Sequence, residues 1–225
     1  MSGEHLIVSR SGRFGADKPG GLGQNDRDRR GRTLVMAPSG DMDRSKMSKP
    51  IELVSSRLRL IALTPELAAL QKIDRMAFFK ALEVEPEPSW PPELFDVETM
   101  AAELEAHPDD AGWYSWVYVS PTMQRLLGCG GFKGAPNAEG QVEIGYSMLA
   151  SYREQGLATE GVNTLTGWAY ADDRVKNVIA NTPADRDASH RVLEKAGFVQ
   201  TGTFHDAEDD TDMIAWTYRP SQAAA

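Results

Sequence analysis

The sequence predicts a single α+β domain, a mixed β-sheet flanked by about four helices. Three observations predict it. From residue 50 onward, apolar and β-branched stretches of strand length recur along the chain. Between them lie stretches whose apolar residues fall on one helical face. Their order is β-α-α-β-β-β-α-β-α-β-β, with no internal repeat.

The elements follow in order. Ser56-Arg-Leu58-Arg-Leu60-Ile61 alternates apolar and charged residues as a half-buried strand does. Thr64-Pro65-Glu66 reads as a helix start, a capping hydroxyl before a proline at the first helical position. One helix follows, with Leu67, Leu70, Ile73 and Ala77 on one face, and the Pro-rich run around Trp90 ends it. Residues 97–106 form the second helix. Trp113–Val119, Leu126–Phe132 and Val142–Leu149 are strands, the last two separated by the turn-rich 134–140 segment. A helix runs from about Leu157 to Ala171. Asn177–Asn181 is a strand, and Asp187–Lys195 is a helix stopped by Ala196-Gly197. Phe198–Phe204 and Met213–Tyr218 pair around an acidic loop.

Composition sets bounds on function. The chain has 225 residues and a net charge of −9, which excludes a general nucleic-acid binder. No run of about 18 apolar residues exists, so no membrane span is expected. A single cysteine, Cys129, excludes an internal disulfide and a multi-cysteine zinc site, and four scattered histidines offer no metal-ligand spacing. A cytoplasmic protein without metal is expected. Residues 1–50 carry ten basic and six acidic residues, and the remainder fourteen and twenty-seven, so a net +4 meets a net −13. Residues 1–49 read as a disordered basic extension. It is either an arm for an acidic partner or the product of an upstream start, since Met36, Met42 and Met47 are also possible starts. Residues 50–220 are the domain and 221–225 a short tail.

The most informative stretch runs strand, loop, helix from Gly145 to Thr159. Gly156 allows close backbone approach, and Ala158 keeps bulk away from a ligand. The free N–H groups of the helix start and its dipole favour an anion, and Arg153 adds a full charge and a planar donor fork. A pyrophosphate would satisfy all of this. A nucleoside triphosphate loop would need a Lys and a Ser/Thr that are missing.

Together with Gly128–Phe132, Val142-Glu-Ile-Gly-Tyr146, Ser56-Arg-Leu-Arg-Leu60, Ser189 and Leu193-Glu-Lys-Ala-Gly-Phe198, the motif Arg153-x-x-Gly156-x-Ala158 resembles the GNAT superfamily of acetyl-CoA-dependent N-acetyltransferases. Over residues 51–219 it is most similar to the branch of ribosomal-protein-alanine acetyltransferases. The resemblance implies a sheet splayed at its centre, between the strands at 142–149 and 177–181, with coenzyme A in the notch. The pantetheine arm would pair with the backbone of Ser147, Met148 and Leu149, and the pyrophosphate would lie on Gln155, Gly156, Leu157, Ala158 and Thr159.

The resemblance also implies roles. Glu143 matches a general-base position; otherwise it is a strand glutamate facing solvent or a structural partner. The usual general-acid tyrosine is replaced by Leu193, and Ser189 is the nearest group to bond the coenzyme sulfur. Where an asparagine is usual three residues earlier, Arg186 stands, and Asn181 is a candidate pantetheine contact. Tyr146 lines the notch as a core aromatic or an acceptor contact. Trp90 is an acceptor wall or a lid over the core. The acidic loop 205–212 is a solvated turn or a field for a cationic acceptor, and Cys129 a small core residue. The expected activity is transfer of acetyl from acetyl-CoA to a primary amine, on a small molecule or a protein N-terminus, by a monomer or homodimer. The alternative is a non-catalytic acyl-CoA-binding module of the same fold.

Overall fold

The computed structural model describes residues 48–93 and 95–219. The basic extension expected over 1–49 therefore lies, up to residue 47, outside the described residues, as does the tail expected over 221–225. The described chain forms β1 (Glu52–Val54), β2 (Arg59–Ala62), α1 (Pro65–Ile73), α2 (Arg75–Ala81), α3 (Val97–Ala106), β3 (Ser115–Ser120), β4 (Arg125–Phe132), β5 (Gln141–Met148), α4 (Leu157–Tyr170), β6 (Asn177–Pro183), α5 (Asp187–Lys195), β7 (Phe198–Asp206) and β8 (Thr211–Tyr218). The eight strands make one mixed sheet in the order β1-β2-β3-β4-β5-β6-β8-β7.

Two differences from the sequence reading have local causes. The helix expected from residue 64 is two helices. Asp74 ends the first by donating its N–H to Leu70 O and starts the second by accepting from Ala77 N at 2.9 Å. A carboxylate that captures backbone N–H groups competes with continued helix, and Ile73, just before the break, is 66% exposed. The start itself is as expected, with Thr64 Oγ1 accepting from Leu67 N. The second difference is β1, a three-residue strand pairing antiparallel with β2.

Core strands are covered on both faces. Every residue of β3 is buried, which explains its aromatic and β-branched run without alternation. Trp168 of α4 packs on Trp113, Trp116 and Phe132. Trp90 packs with Phe78 and Phe95 in the loop and helices before β3. Among the described residues, no helix is long and apolar enough to cross a membrane.

One junction positions the site. β5 and β6 are parallel and pair at three positions only, Gln141 with Asn177, Val142 with Val178 and Glu143 with Ile179. β5 then continues to Met148 along β4 alone, and β6 turns to β8. The sheet is splayed at the place expected.

Candidate active site

The site grows from the end of β5. Glu143 O accepts from Lys133 N, and Leu149 N donates to Leu127 O, so the odd-numbered residues turn their backbone groups to β4. Ile144, Tyr146 and Met148 therefore turn theirs to the split. Met148 O takes a hydrogen bond there from Arg153 Nε at 3.1 Å. A short 3-10 turn, Ala150–Tyr152, then leads to the start of α4.

Gly156 is the N-cap of α4, at φ 74°, and no side chain caps the helix. The first helical bond is Glu160 N to Gly156 O, so the N–H groups of Leu157, Ala158 and Thr159 have no partner in the preceding turn. They open on a cleft of about 190 Å³ between α4 and α5. One wall is Met148, Tyr152, Arg153, the carboxylate-bearing Glu154, and Gly156 to Thr159. The other is Ala188, Arg191, Val192 and Lys195.

Arg191 and Lys195 lie one helical turn apart and, with Arg153, bring three cations to the cleft. Among the described residues, none of the three makes an ion pair with an acid. In a chain that is net −13 beyond residue 50, these three cations outnumber Glu154, the one acid lining the cleft, and with the helix start give it a field that favours an anion. Sequence reasoning found Arg153 but missed Arg191, Lys195 and Tyr152. The basic pair at i, i+4 on the helix carrying Ser189 was the available signal for two of them.

The other candidates sort by position. Glu143 stands at the last β5–β6 pair, at the base of the split, and its Oε1 is 2.5 Å from Lys133 Nζ. Tyr146 is on the opposite face of β5 and donates its hydroxyl to Ser189 O at 2.9 Å, tying the open strand to α5. Ser189 is buried on α5, and Leu193, one turn on, is fully buried in the core. The Ser147 hydroxyl is buried without a hydrogen-bond partner. Asn181 is half-buried on β6, opposite Ala215 of β8. Gln155 lies on the exposed outer side of the anion turn, its amide donating to Ser151 O. Trp90 is 2% exposed, its ring inside the aromatic cluster with Phe78 and Phe95, so of its two expected places it takes the core one and its ring forms no open wall. Burial pushes the Cys129 thiol well above its ordinary range, which keeps it protonated and unreactive. Among the described residues, no group of three or more His, Cys, Asp or Glu side chains is placed to hold a metal ion.

The chain is similar to known acetyltransferases in sequence and in fold. The acetyltransferase (GNAT) domain family matches residues 57–199. The uncharacterized N-acetyltransferase YjdG of Bacillus subtilis (strain 168) is 32% identical over 150 residues, covering 65% of this chain and 89% of its own. A ribosomal-protein-S5-alanine acetyltransferase from Vibrio fischeri superposes with a TM-score of 0.55 at 16% identity, over 78% of this chain and 100% of its own. RimL, a ribosomal L7/L12 alpha-N-protein acetyltransferase solved in complex with coenzyme A, gives 0.54 at 17% identity, over 73% and 95%. With the family's domain matched over well over half of its length, and that domain's splayed sheet in place, the chain belongs to the GNAT acetyltransferase family.

Proposed function

We propose that the protein moves an acetyl group from acetyl-CoA to a primary amine by direct attack of the amine on the thioester. One observation carries the reading. The open edge of β5, from Ile144 to Met148, runs straight into the turn where Arg153 and the start of α4 face Arg191 and Lys195. An amide-bearing arm followed by phosphates has groups to match both, in that order. The backbone of Ile144, Tyr146 and Met148, with Asn181 across the split, would hold the arm; Ser147 and Leu149, expected to share in it, turn their backbone groups to β4 instead. Arg153 and the Gln155–Thr159 turn would hold the pyrophosphate, and Arg191 and Lys195 a further phosphate.

Acetyl-CoA supplies the activated thioester; the chain supplies position and proton transfer. Glu143, at the base of the split, is the proposed base that takes the amine proton, with Lys133 fixing its carboxylate. Ser189 is the proposed donor to the departing sulfur, and the Tyr146 bond to its backbone sets where α5 stands. Tyr146 and the loop anchored by Trp90 would bound the acceptor. The acceptor is a small amine or a protein N-terminus. RimL, whose name states an α-N-terminal protein substrate, supports the second.

A second reading rests on Leu193. Where the superfamily's general-acid tyrosine is expected, this chain buries a leucine, which suits a module that binds acyl-CoA without turning it over. Steady-state thiol release from acetyl-CoA with a panel of amines and short peptides separates the two. An enzyme releases coenzyme A only when an acceptor is present, and Glu143→Gln lowers that rate about 10²- to 10⁴-fold with nearly unchanged acetyl-CoA affinity. Tight acetyl-CoA binding with no release on any amine would leave the binding module.

A further inference from the structure

The turn that precedes α4 is conformationally costly. Glu154 (φ 60°) and Gly156 (φ 74°) are both left-handed, with Gln155 between them. For Glu154, which carries a Cβ, such backbone persists only where the surroundings over-determine it. The N–H groups of Leu157 to Thr159 converge on the cleft only while this turn holds its shape.

What holds it comes from the far end of the sheet. The β1–β2 turn, Ser55 to Leu58, is closed by Ser55 N to Leu58 O at 2.9 Å. From it, Ser55 Oγ and the backbone N–H of Arg57 donate to Glu160 Oε1 at 2.7 and 2.6 Å, and Arg57 Nε donates to Glu160 Oε2 at 2.7 Å. Arg57 Nη1 donates to Gln155 O at 2.8 Å, on the residue between the two left-handed ones. Arg57 Nη2 lies 3.5 Å from where a Cβ on Gly156 would stand. One arginine thus grips both the strained turn and the first turn of the helix.

We infer that Ser55, Arg57 and Glu160 form a clasp that presets the anion-binding turn, making them positioning residues for the coenzyme. The inference rests on the proposed function, because it assumes that the anion is that of coenzyme A. The clasp has two effects. It fixes the backbone of residues 154–156. It also cancels the charge of Glu160, which stands in the first turn of α4 next to residues that line the cleft and would otherwise repel a phosphate. Removing the Arg57 side chain loses its bond to Gln155 O and leaves the Glu160 charge uncancelled, held only by Ser55 Oγ and the backbone N–H of residue 57. Removing Arg57 and Glu160 together loses only the fixation.

The test is a double-mutant cycle on the full chain, with coenzyme A as the titrant in calorimetry and urea denaturation of each variant alongside. Arg57→Ala is expected to weaken coenzyme A binding about 10- to 30-fold and Glu160→Gln about 3- to 10-fold. The double variant should bind better than Arg57→Ala alone. A merely structural ion pair would lower stability in all three and give no such recovery. Ser55→Ala, which removes one hydrogen bond to Glu160, keeps the test available if Arg57→Ala fails to fold, and should weaken binding about twofold to fivefold. Wild-type binding with unchanged affinity in Glu160→Gln and Ser55→Ala overturns the clasp and spares the proposed function. Failure of the wild type to bind coenzyme A overturns both.

Discussion

Thr159 holds the third position of α4, on the wall of the cleft and partly exposed. Replacing it by Asp and, separately, by Asn gives two side chains of one shape that differ in charge. The free protein and its complex should then respond with opposite signs. In the free protein the Asp carboxylate sits at the positive end of the helix dipole and stabilises by about 0.3–1 kcal/mol relative to Asn. For a domain of this size that raises the melting temperature by roughly 1–4 °C. In the complex the same carboxylate faces phosphate. At about 5 Å and an effective dielectric constant of about 20, a pair of like unit charges repels by about 3 kcal/mol. Salt near the surface reduces this, leaving about 1–3 kcal/mol, or roughly 5- to 150-fold in affinity. The assay is calorimetric titration with coenzyme A and thermal denaturation on the same preparations. An Asp variant that is more stable than the Asn variant yet binds equally well would refute the placement of the anion on the start of α4.

Three further outcomes are expected. Gly131→Ala should be severely destabilising, by about 3 kcal/mol or more, because its Cβ would stand 1.8 Å from Tyr114 O at φ 150°, whereas Gly167→Ala meets nothing within 4 Å in α4 and should stabilise by about 0.5–1 kcal/mol; thermal denaturation of both checks the pair. Burial opposes ionisation of Glu87, but Ser89, Tyr152 and Arg125 outweigh it and hold the carboxyl below its ordinary 4.5. With the folded value depressed, its contribution is present above about pH 4.5 and is lost as pH falls through the folded value, so Glu87→Gln should flatten the acid limb of a stability–pH curve. Trp90→Ala should cost about 3–5 kcal/mol in urea denaturation, the usual cost of emptying a buried aromatic site.

What was legible in the sequence was local. Arg153, Gly156 and the helix after them are set by a few consecutive residues, and the Thr64-Pro65 start likewise needs only its own turn. The break at Asp74 was hidden because Leu67, Leu70 and Ala77 keep helical spacing across it, while the capping bonds depend on one carboxylate's rotamer. The splay between β5 and β6 came from resemblance, since no property of either strand alone says that their pairing stops at Glu143. Lys133 and Glu143 meet because a hairpin register brings them together. Arg57 and Glu160 are 103 residues apart, and only the sheet order brings the β1–β2 turn to α4.

The short β5–β6 junction divides the sheet into two blocks of unequal footing. β1 to β5 form a continuous antiparallel ladder, and β6, β8 and β7 form another. The links between them include three parallel rungs, the Asn177 N–H to Gly140 O bond, the Tyr146–Ser189 bond, the Tyr170–Tyr218 ring contact and the meeting of α4 with α5. Parallel pairing is the weaker kind, so the segment from Asn177 to Tyr218 can open as one cooperative unit at a cost below that of global unfolding. Its amides should exchange with solvent sooner than those of β3 and β4. An anion held at once by Arg153 of one block and Arg191 of the other binds only the closed arrangement. Its binding free energy is therefore added to the cost of that opening, and β6 and β8 gain the exchange protection.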